Sequence, residues 1–264
     1  MSDRLFGGGR AAAADVAWRI YRRRSTASTN LDALELARAG DPGRAWVVAE
    51  RQTGGRARRG RVWSSEPGNL YATALICDPC APAHLPELPF VAAVAAARAV
   101  APRAAAVGRR VGIKWPNDLL LDGAKIAGIL LETARTPDGR FAVAIGIGIN
   151  CRTFPGDTEM PATSLAACGV DVFPDHLFAD LEYELRSLVD TWDEGRGFAA
   201  VREAWLSHAV GIGRRIRVRL VGSEDEGVFE AIDASGFLVL ARDDGSRRLI
   251  SAGDVFFARP GCEE

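Results

Sequence analysis

The sequence predicts an α+β protein with a mainly antiparallel sheet, followed by a small C-terminal β-barrel. Three observations support this prediction. Strand-like runs joined by hairpin turns dominate the first part of the chain, and only a few helical stretches interrupt them. Five short strand candidates crowd the last part. At 264 residues, the chain has room for one large domain and one small appendage.

We therefore expect three segments. Residues 1–17 are rich in Gly and Ala and lack the apolar stretch of a signal peptide, which predicts a flexible leader. Residues 18–209 should form the main domain. Residues 210–264 should form the barrel.

The elements of the main domain follow from turn chemistry and periodicity. Ser, Thr and Asn side chains before Leu31 are a helix start signal, and Gly and Pro residues at 40–43 end that short helix. Leucines at helical spacing predict a later amphipathic helix. The strands are predicted at residues 18–24, 45–49, 69–77, 112–114, 119–121, 125–132 and 141–150. The helices after the first are predicted at residues 86–100, 175–192 and 198–207.

The barrel strands are short and are separated by Gly, Asp or Ser turns. They are predicted at residues 215–221, 227–232, 237–241, 247–250 and 254–257. Five such strands in a small segment are typical of a closed barrel.

Composition excludes several classes of protein. A formal net charge of −1 creates no global attraction to nucleic acid or anionic lipid. The longest apolar runs, residues 90–97 and 141–149, are shorter than the roughly 18 residues that span a bilayer. Five cysteines, an odd number, argue against a disulfide framework. We expect a cytoplasmic protein without a membrane partner.

A basic loop at residues 50–63 is the most unusual stretch of the chain. It contains three glycines, which let its backbone fold closely over a ligand, and five arginines. No acidic residue lies between Arg51 and Arg61. We expect this loop to be mobile when free and to be ordered by an anion.

A second polar cluster, Lys114–Asp118 together with Lys125, lies on a neighbouring pair of predicted strands. Two such clusters suggest a phosphate-bearing ligand held between them. The Walker-type GxxxxGK[ST] loop is absent, and the GxGxxG dinucleotide fingerprint fails after Gly148. A nucleotide site must therefore be built in another way.

Six motifs occur in order along the chain, namely Ser28-Thr-Asn30, residues 52–60, Asn69-Leu-Tyr71, Lys114-Trp-Pro-Asn-Asp118, residues 125–132 and residues 146–150. This series resembles the biotin protein ligases, over roughly residues 18–150. The resemblance implies a class II aminoacyl-tRNA-synthetase-like catalytic domain of the biotin and lipoate ligase type, with an SH3-like C-terminal barrel.

The resemblance also implies a two-step reaction. Biotin and MgATP give biotinyl-5′-AMP and pyrophosphate, and a lysine of a biotin carboxyl carrier domain then attacks the mixed anhydride. Biotin, ATP and Mg²⁺ are substrates or co-substrates, and no tightly bound cofactor is implied. Cations fixed beside the α-phosphate suit this chemistry, because negative charge gathers there.

Site residues are carried over from the resemblance by position. The catalytic residues are Arg58 and Lys125. Biotin and its adenylate are expected to contact Ser28, Thr29, Asn30, Gln52, Gly55, Arg56, Ala57, Arg58, Lys125, Gly128 and Gly146. The nucleotide is expected to contact Arg59, Trp63, Asn117 and Asn150. Asp118 is the candidate Mg²⁺ ligand, although it could equally cap a turn.

Two departures from the family pattern matter. Ala57 stands where the family commonly has Gly, so loop closure is expected to differ slightly. Few residues precede the first predicted strand, so we expect no N-terminal winged helix-turn-helix and no specific DNA binding.

Two alternatives stay open at this point, lipoate ligation and non-catalytic binding of biotin or nucleotide. The sequence is compatible with a monomer or a homodimer.

Overall fold

The computed structural model describes residues 18–257, so the predicted flexible leader lies outside the described part of the chain. Seven strands form the main sheet: β1 (Arg19–Arg23), β2 (Ala45–Ala49), β3 (Leu70–Cys77), β4 (Val111–Lys114), β5 (Asp118–Leu121), β6 (Ala124–Arg135) and β7 (Phe141–Ile149). Their order is β1-β2-β3-β7-β6-β5-β4. Neighbouring strands are antiparallel except for β1 and β2, which run parallel. The predicted mainly antiparallel α+β fold is confirmed.

Four helices cover this sheet: α1 (Thr29–Arg38), α2 (Leu88–Ala106), α3 (Pro174–Trp192) and α4 (Phe198–His208). Side chains alternate along a strand, so each strand supplies both faces of the sheet. In β2, Trp46 and Val48 join the large core with α2, α3 and α4. Ala45 and Val47 instead join a smaller cluster with α1.

The α1 face of the sheet is only partly covered. Ala142 and Ala144 of β7 pack under α1, but the next residues on the same face are Gly146 and Gly148. Gly128 of β6 pairs with Gly148 across the strands. This uncovered, glycine-lined part of the sheet is where the cavity described below lies.

Helix α2 is the centre of the core. The stretch Pro82–Ala106 is long and apolar enough to cross a membrane by length and composition, yet 67% of its most apolar window is buried inside the fold. Alanines let α3 and α4 approach α2 closely. Its apolar character is therefore explained by core packing, as in the central helix of a soluble protein.

Five strands form the C-terminal β-domain: β8 (Arg215–Arg219), β9 (Glu224–Ile232), β10 (Leu238–Ala241), β11 (Arg247–Ile250) and β12 (Asp254–Phe257). They pair antiparallel in the order β11-β10-β9-β8-β12. Their inward side chains, such as Val218 and Phe229, belong to the same hydrophobic cluster as the main core. The indole of Trp115 also donates a hydrogen bond to Gly236 O at 3.3 Å. The small β-domain thus packs directly on the larger unit.

Some helix and strand boundaries differ from the predicted ones for physical reasons. Helix α1 begins at Thr29, so Thr29 and Asn30 lie in its first turn. Strand β9 begins at Glu224 instead of residue 227, because Glu224 and Glu226 lie opposite Arg219 and Arg217 on β8. Opposite charges at facing positions favour strand pairing.

We predict that Leu181→Ala in α3 lowers the free energy of unfolding by about 2–5 kcal/mol, since it leaves a cavity in the main core. Leu249→Ala removes a side chain of the same size that is 57% exposed, and should change stability by no more than about 0.5 kcal/mol. Urea unfolding of both variants measures the difference. Equal destabilisation would contradict the assigned core.

Candidate active site

A cavity of about 350 Å³ opens over the glycine-lined part of the sheet. The basic loop, the segment that contains residues 155–162, and strand β12 form its other walls. Most residues predicted for the site line this cavity: Ser28, Thr29, Asn30, Gln52, Arg56, Ala57, Arg58, Trp63, Asn117, Asp118, Lys125, Gly128, Gly146 and Asn150. Gly55 and Arg59 are not among its lining residues.

Gly55 closes the base of the basic loop behind the cavity. Its carbonyl accepts a hydrogen bond from the Trp63 amide at 3.0 Å. A Cβ at this position would lie 2.4 Å from both Ser65 Oγ and Trp63 O. Only glycine fits there, so the residue shapes the loop from outside the cavity.

One end of the cavity is a preformed hydrogen-bonding pocket. Gln52 Oε1 accepts hydrogen bonds from the Thr29 amide at 2.9 Å and from its hydroxyl at 3.1 Å. Thr73 Oγ1 lies 2.8 Å from the Thr29 hydroxyl and 2.7 Å from Asn30 Oδ1. Ser28 stands at the N-cap of α1 without making a side-chain capping bond. The Ser-Thr-Asn run therefore faces the cavity instead of capping its own helix.

Glu132 ties this pocket to the basic loop. Its Oε2 accepts a hydrogen bond from Asn30 Nδ2 at 2.9 Å and pairs with Arg56 Nη2, also at 2.9 Å. Arg56 and Asn30 thus share one carboxylate oxygen.

The floor of the cavity requires glycine. A Cβ on Gly146 would lie 2.2 Å from Asn30 Oδ1. Cβ atoms on Gly128 and Gly148 would lie 3.0 and 2.7 Å from the Trp63 indole. Trp63 therefore lies flat against the strand backbones, and its Nε1 makes no hydrogen bond within residues 18–257.

A half-buried carboxylate that lines the cavity lies between two ammonium groups. Asp118 Oδ1 is 2.6 Å from Lys125 Nζ, and Oδ2 is 3.6 Å from Lys114 Nζ. Burial alone would raise the pKa of Asp118, but Lys125 and Lys114 outweigh it and hold that pKa below its ordinary value. Burial lowers the pKa of Lys114, and Asp118 opposes this shift.

The predicted Mg²⁺ role of Asp118 fits this geometry poorly. Both of its oxygens already face cations. Within residues 18–257, no group of three or more His, Cys, Asp and Glu side chains could hold a metal ion. The donor set instead suits a carboxylate that positions lysines.

The basic loop is held by the C-terminal β-domain. Asp254 at the start of β12 lies 3.9, 3.5 and 3.3 Å from the nearest guanidinium nitrogens of Arg58, Arg59 and Arg61. Arg58 also donates hydrogen bonds to Asn117 Oδ1 and to a β-domain carbonyl. Burial lowers the pKa of Arg58, while Asp254 and then Asp118 raise it. The acidic partner that the loop lacks locally is thus supplied from a distant part of the chain.

Sequence reasoning gave no individual role to several residues that line the cavity: Arg61, Tyr71, Lys114, Met160, Asp254 and Phe256. Of these, Lys114 belonged to the second polar cluster. Lys114 was detectable, because it opens the Lys-Trp-Pro-Asn-Asp motif. No local sequence pattern indicates that Asp254 lines the cavity, because its position depends on how the β-domain packs.

Two family models match the chain. Residues 20–150 match the biotin/lipoate A/B protein ligase family, and residues 211–258 match the biotin protein ligase C-terminal domain. Together with the fold and the cavity, these matches define a protein ligase of the biotin and lipoate class.

Individual proteins narrow this class. The biotin–[acetyl-CoA-carboxylase] ligase of Paracoccus denitrificans is 41% identical over 88% of this chain and 98% of its own length. The Leishmania major biotin protein ligase, solved with biotinyl-5-AMP, is 26% identical over 89% of this chain and 99% of its own, with a TM-score of 0.61. The Aquifex aeolicus biotin protein ligase, solved with biotin and ATP, shares the fold (23% identity over 91% of this chain and 99% of its own, TM-score 0.75). This chain belongs to the biotin protein ligase family.

We predict that Asp254→Asn makes the basic loop about three- to tenfold more sensitive to trypsin, because it removes the shared counter-ion of three arginines. Asp243→Asn breaks an exposed pair with Arg215 in the same domain and serves as the control. Cleavage rates after Arg58, Arg59 and Arg61, read by mass spectrometry, measure the effect. Unchanged rates in Asp254→Asn would show that this contact does not hold the loop.

Proposed function

We propose that this protein catalyses ATP-dependent biotin ligation in two steps within the cavity. Biotin and MgATP form biotinyl-5′-AMP and pyrophosphate, and biotin is then transferred to a lysine of a biotin carboxyl carrier domain. The observation that carries this proposal is one cavity that joins a hydrogen-bonding pocket to a cluster of cations over a glycine floor. Membership of the biotin protein ligase family supports it. Residues 18–209 act as the catalytic domain and residues 210–264 as the β-barrel domain.

The pocket around α1 suits the ureido head of biotin. That head presents one carbonyl oxygen and two N–H donors. Ser28, Thr29, Asn30 and Gln52 offer hydroxyl and amide groups of both kinds. The Thr73 and Gln52 contacts hold Thr29 and Asn30 in place before the ligand arrives. Such preorganisation lowers the entropy lost on binding.

The cation cluster suits the adenylation step. A biotin carboxylate oxygen attacks the α-phosphorus, the bond from phosphorus to the bridging oxygen breaks, and pyrophosphate leaves with the electron pair. Arg58 and Lys125 stabilise the negative charge that develops on the phosphoryl oxygens. Asp118 fixes Lys125 in one position through its 2.6 Å ion pair. The outward face of Trp63 gives adenine an apolar surface, and Asn117 and Asn150 complete the nucleotide end. Arg59 lies outside the cavity and pairs with Asp254.

In the transfer step, the amine of the carrier lysine attacks the biotinyl carbonyl carbon. An amide bond forms, the bond between the carbonyl carbon and the phosphate oxygen breaks, and AMP leaves. Arg56 and Ala57 belong to the loop that covers this anhydride and shields it from water. We place the reaction in the cytoplasm, where ATP is available, with the protein acting as a monomer or a homodimer.

Neither alternative function from the sequence is favoured. The similar proteins are biotin ligases, which argues against lipoate as the substrate. A non-catalytic binding protein would not need buried cations beside a phosphate site.

We predict that Lys125→Ala lowers the rate of biotin-dependent ATP–pyrophosphate exchange by about a hundredfold or more, since a fixed cation leaves the reacting centre. Circular dichroism should show an unchanged fold. Arg140→Ala, which removes an exposed cation in the β6–β7 turn, should exchange at the wild-type rate. Wild-type exchange by a folded Lys125→Ala protein would remove Lys125 from the mechanism.

We also predict that Gly146→Ala raises the KM for biotin by about ten- to a hundredfold, because the new methyl group displaces the Asn30 carboxamide. The KM for ATP should change much less. Val221→Ala, which truncates a side chain that is 95% exposed and lies outside the cavity, is the control. If Gly146→Ala binds biotin normally in the exchange assay, the head of biotin does not lie at Asn30.

A further inference from the structure

Lysine is rare in this chain and is confined to the cavity. Among 33 basic residues only two are lysines, Lys114 and Lys125, and both line the cavity. Both also face the same carboxylate, Asp118. Arginine serves at every other basic position, so a compact ammonium group has been kept only where the ligand binds.

The two ammonium groups differ in how well they are paired. Lys125 Nζ makes a short contact with Asp118 at 2.6 Å. Lys114 Nζ lies 3.6 Å from Asp118, 3.8 Å from Met160 Sδ and 5.9 Å from the centre of the Phe256 ring. None of these is a good hydrogen bond for any of its three donors.

Lys114 is also the more buried of the pair. Its side chain is 6% exposed, against 25% for Lys125. A buried ammonium group whose carboxylate partner lies beyond good hydrogen-bond distance is poorly compensated and destabilises a fold. Such a group is expected where an anionic ligand supplies the missing oxygen atoms.

The position of Lys114 indicates which part of the ligand it meets. Lys125 lies beside the Trp63 ring, close to the glycine floor at Gly128. Lys114 lies on the other side of Asp118, against Met160 and Phe256 at the β-domain wall. The carboxylate separates the two cations and reduces their mutual repulsion. The two ammonium groups can therefore bind neighbouring anionic groups of one ligand.

We propose that Lys114 binds the β- and γ-phosphate oxygens of ATP and holds the pyrophosphate as it leaves. This inference rests on the proposed ligase function. When the bond between the α-phosphorus and the bridging oxygen breaks, the electron pair moves onto pyrophosphate. Lys114 then donates hydrogen bonds to that dianionic end and stays protonated throughout. Lys125 remains with the biotin carboxyl group and the α-phosphate.

The test separates the two half-reactions in the full-length protein. Lys114→Met keeps the aliphatic volume and removes the charge. It should lower kcat/KM for ATP in biotin-dependent pyrophosphate exchange by about tenfold or more and raise the KM for pyrophosphate. Single-turnover transfer from supplied biotinyl-5′-AMP to a carrier domain should stay within about twofold of wild type, because no pyrophosphate takes part. The melting temperature should be unchanged or higher, since a buried and weakly paired charge is gone.

Arg109→Met is the matched control, because it removes an exposed cation outside the cavity and should leave both half-reactions unchanged. Lys114→Gln is the second variant if Lys114→Met does not fold. Wild-type exchange kinetics in a folded Lys114 variant would overturn the proposal. Equal losses in exchange and in transfer would also overturn it, since Lys114 would then serve both steps. Absence of biotin-dependent exchange in the wild-type protein would instead refute the ligase function itself.

Discussion

The site depends on the incomplete packing of helices on one face of the main sheet. One face of the main sheet is sealed by α2, α3 and α4, and its large apolar side chains make the core. The opposite face is covered by α1 over β2, β3 and the alanine end of β7. Beyond that point β6 and β7 carry glycines, and only their lack of side chains lets the Asn30 carboxamide and the Trp63 indole lie against the strand backbones. A rigid platform results, on which these two side chains face the cavity.

Two carboxylates then organise the charge around this platform. Asp118 holds the lysines from within the main sheet, and Asp254 gathers three arginines from the C-terminal β-domain. Cations so close together repel one another, and each carboxylate offsets this repulsion in the absence of substrate. An incoming phosphate can replace or share these contacts, because guanidinium and ammonium groups bind phosphate and carboxylate by the same kind of hydrogen bond.

The fold was predictable from the sequence because its signals are local. Hairpin turns, glycine positions and the five short C-terminal strands all depend on neighbouring residues, and they led to the mainly antiparallel fold. The motif residues from Ser28 to Asn150 could also be grouped into one site, although Gly55 and Arg59 lie outside the cavity. Their individual roles remain predictions. Asp254 and Phe256 could not be found in this way, since they reach the cavity only through long-range packing of β12.

The same limit explains the basic loop. Its composition alone predicted mutual repulsion and mobility, because no acid lies between Arg51 and Arg61. The structure supplies Glu132 and Asp254, which are distant in sequence. In a folded protein, the charges that balance one another can come from residues that are distant in sequence. An inspection of neighbouring residues in the chain therefore misses them.

The shared hydrophobic cluster has a consequence for how the protein comes apart. Phe229 and Val218 of the β-domain lie in the same cluster as Trp205 of α4 and Phe90 of α2. Segments that share one core tend to open together, as a single cooperative unit, and not one after the other. Amide protons in β9 and in α2 should therefore exchange with solvent through a common global opening. Strand β12, which forms one wall of the cavity, should then open only when the core opens.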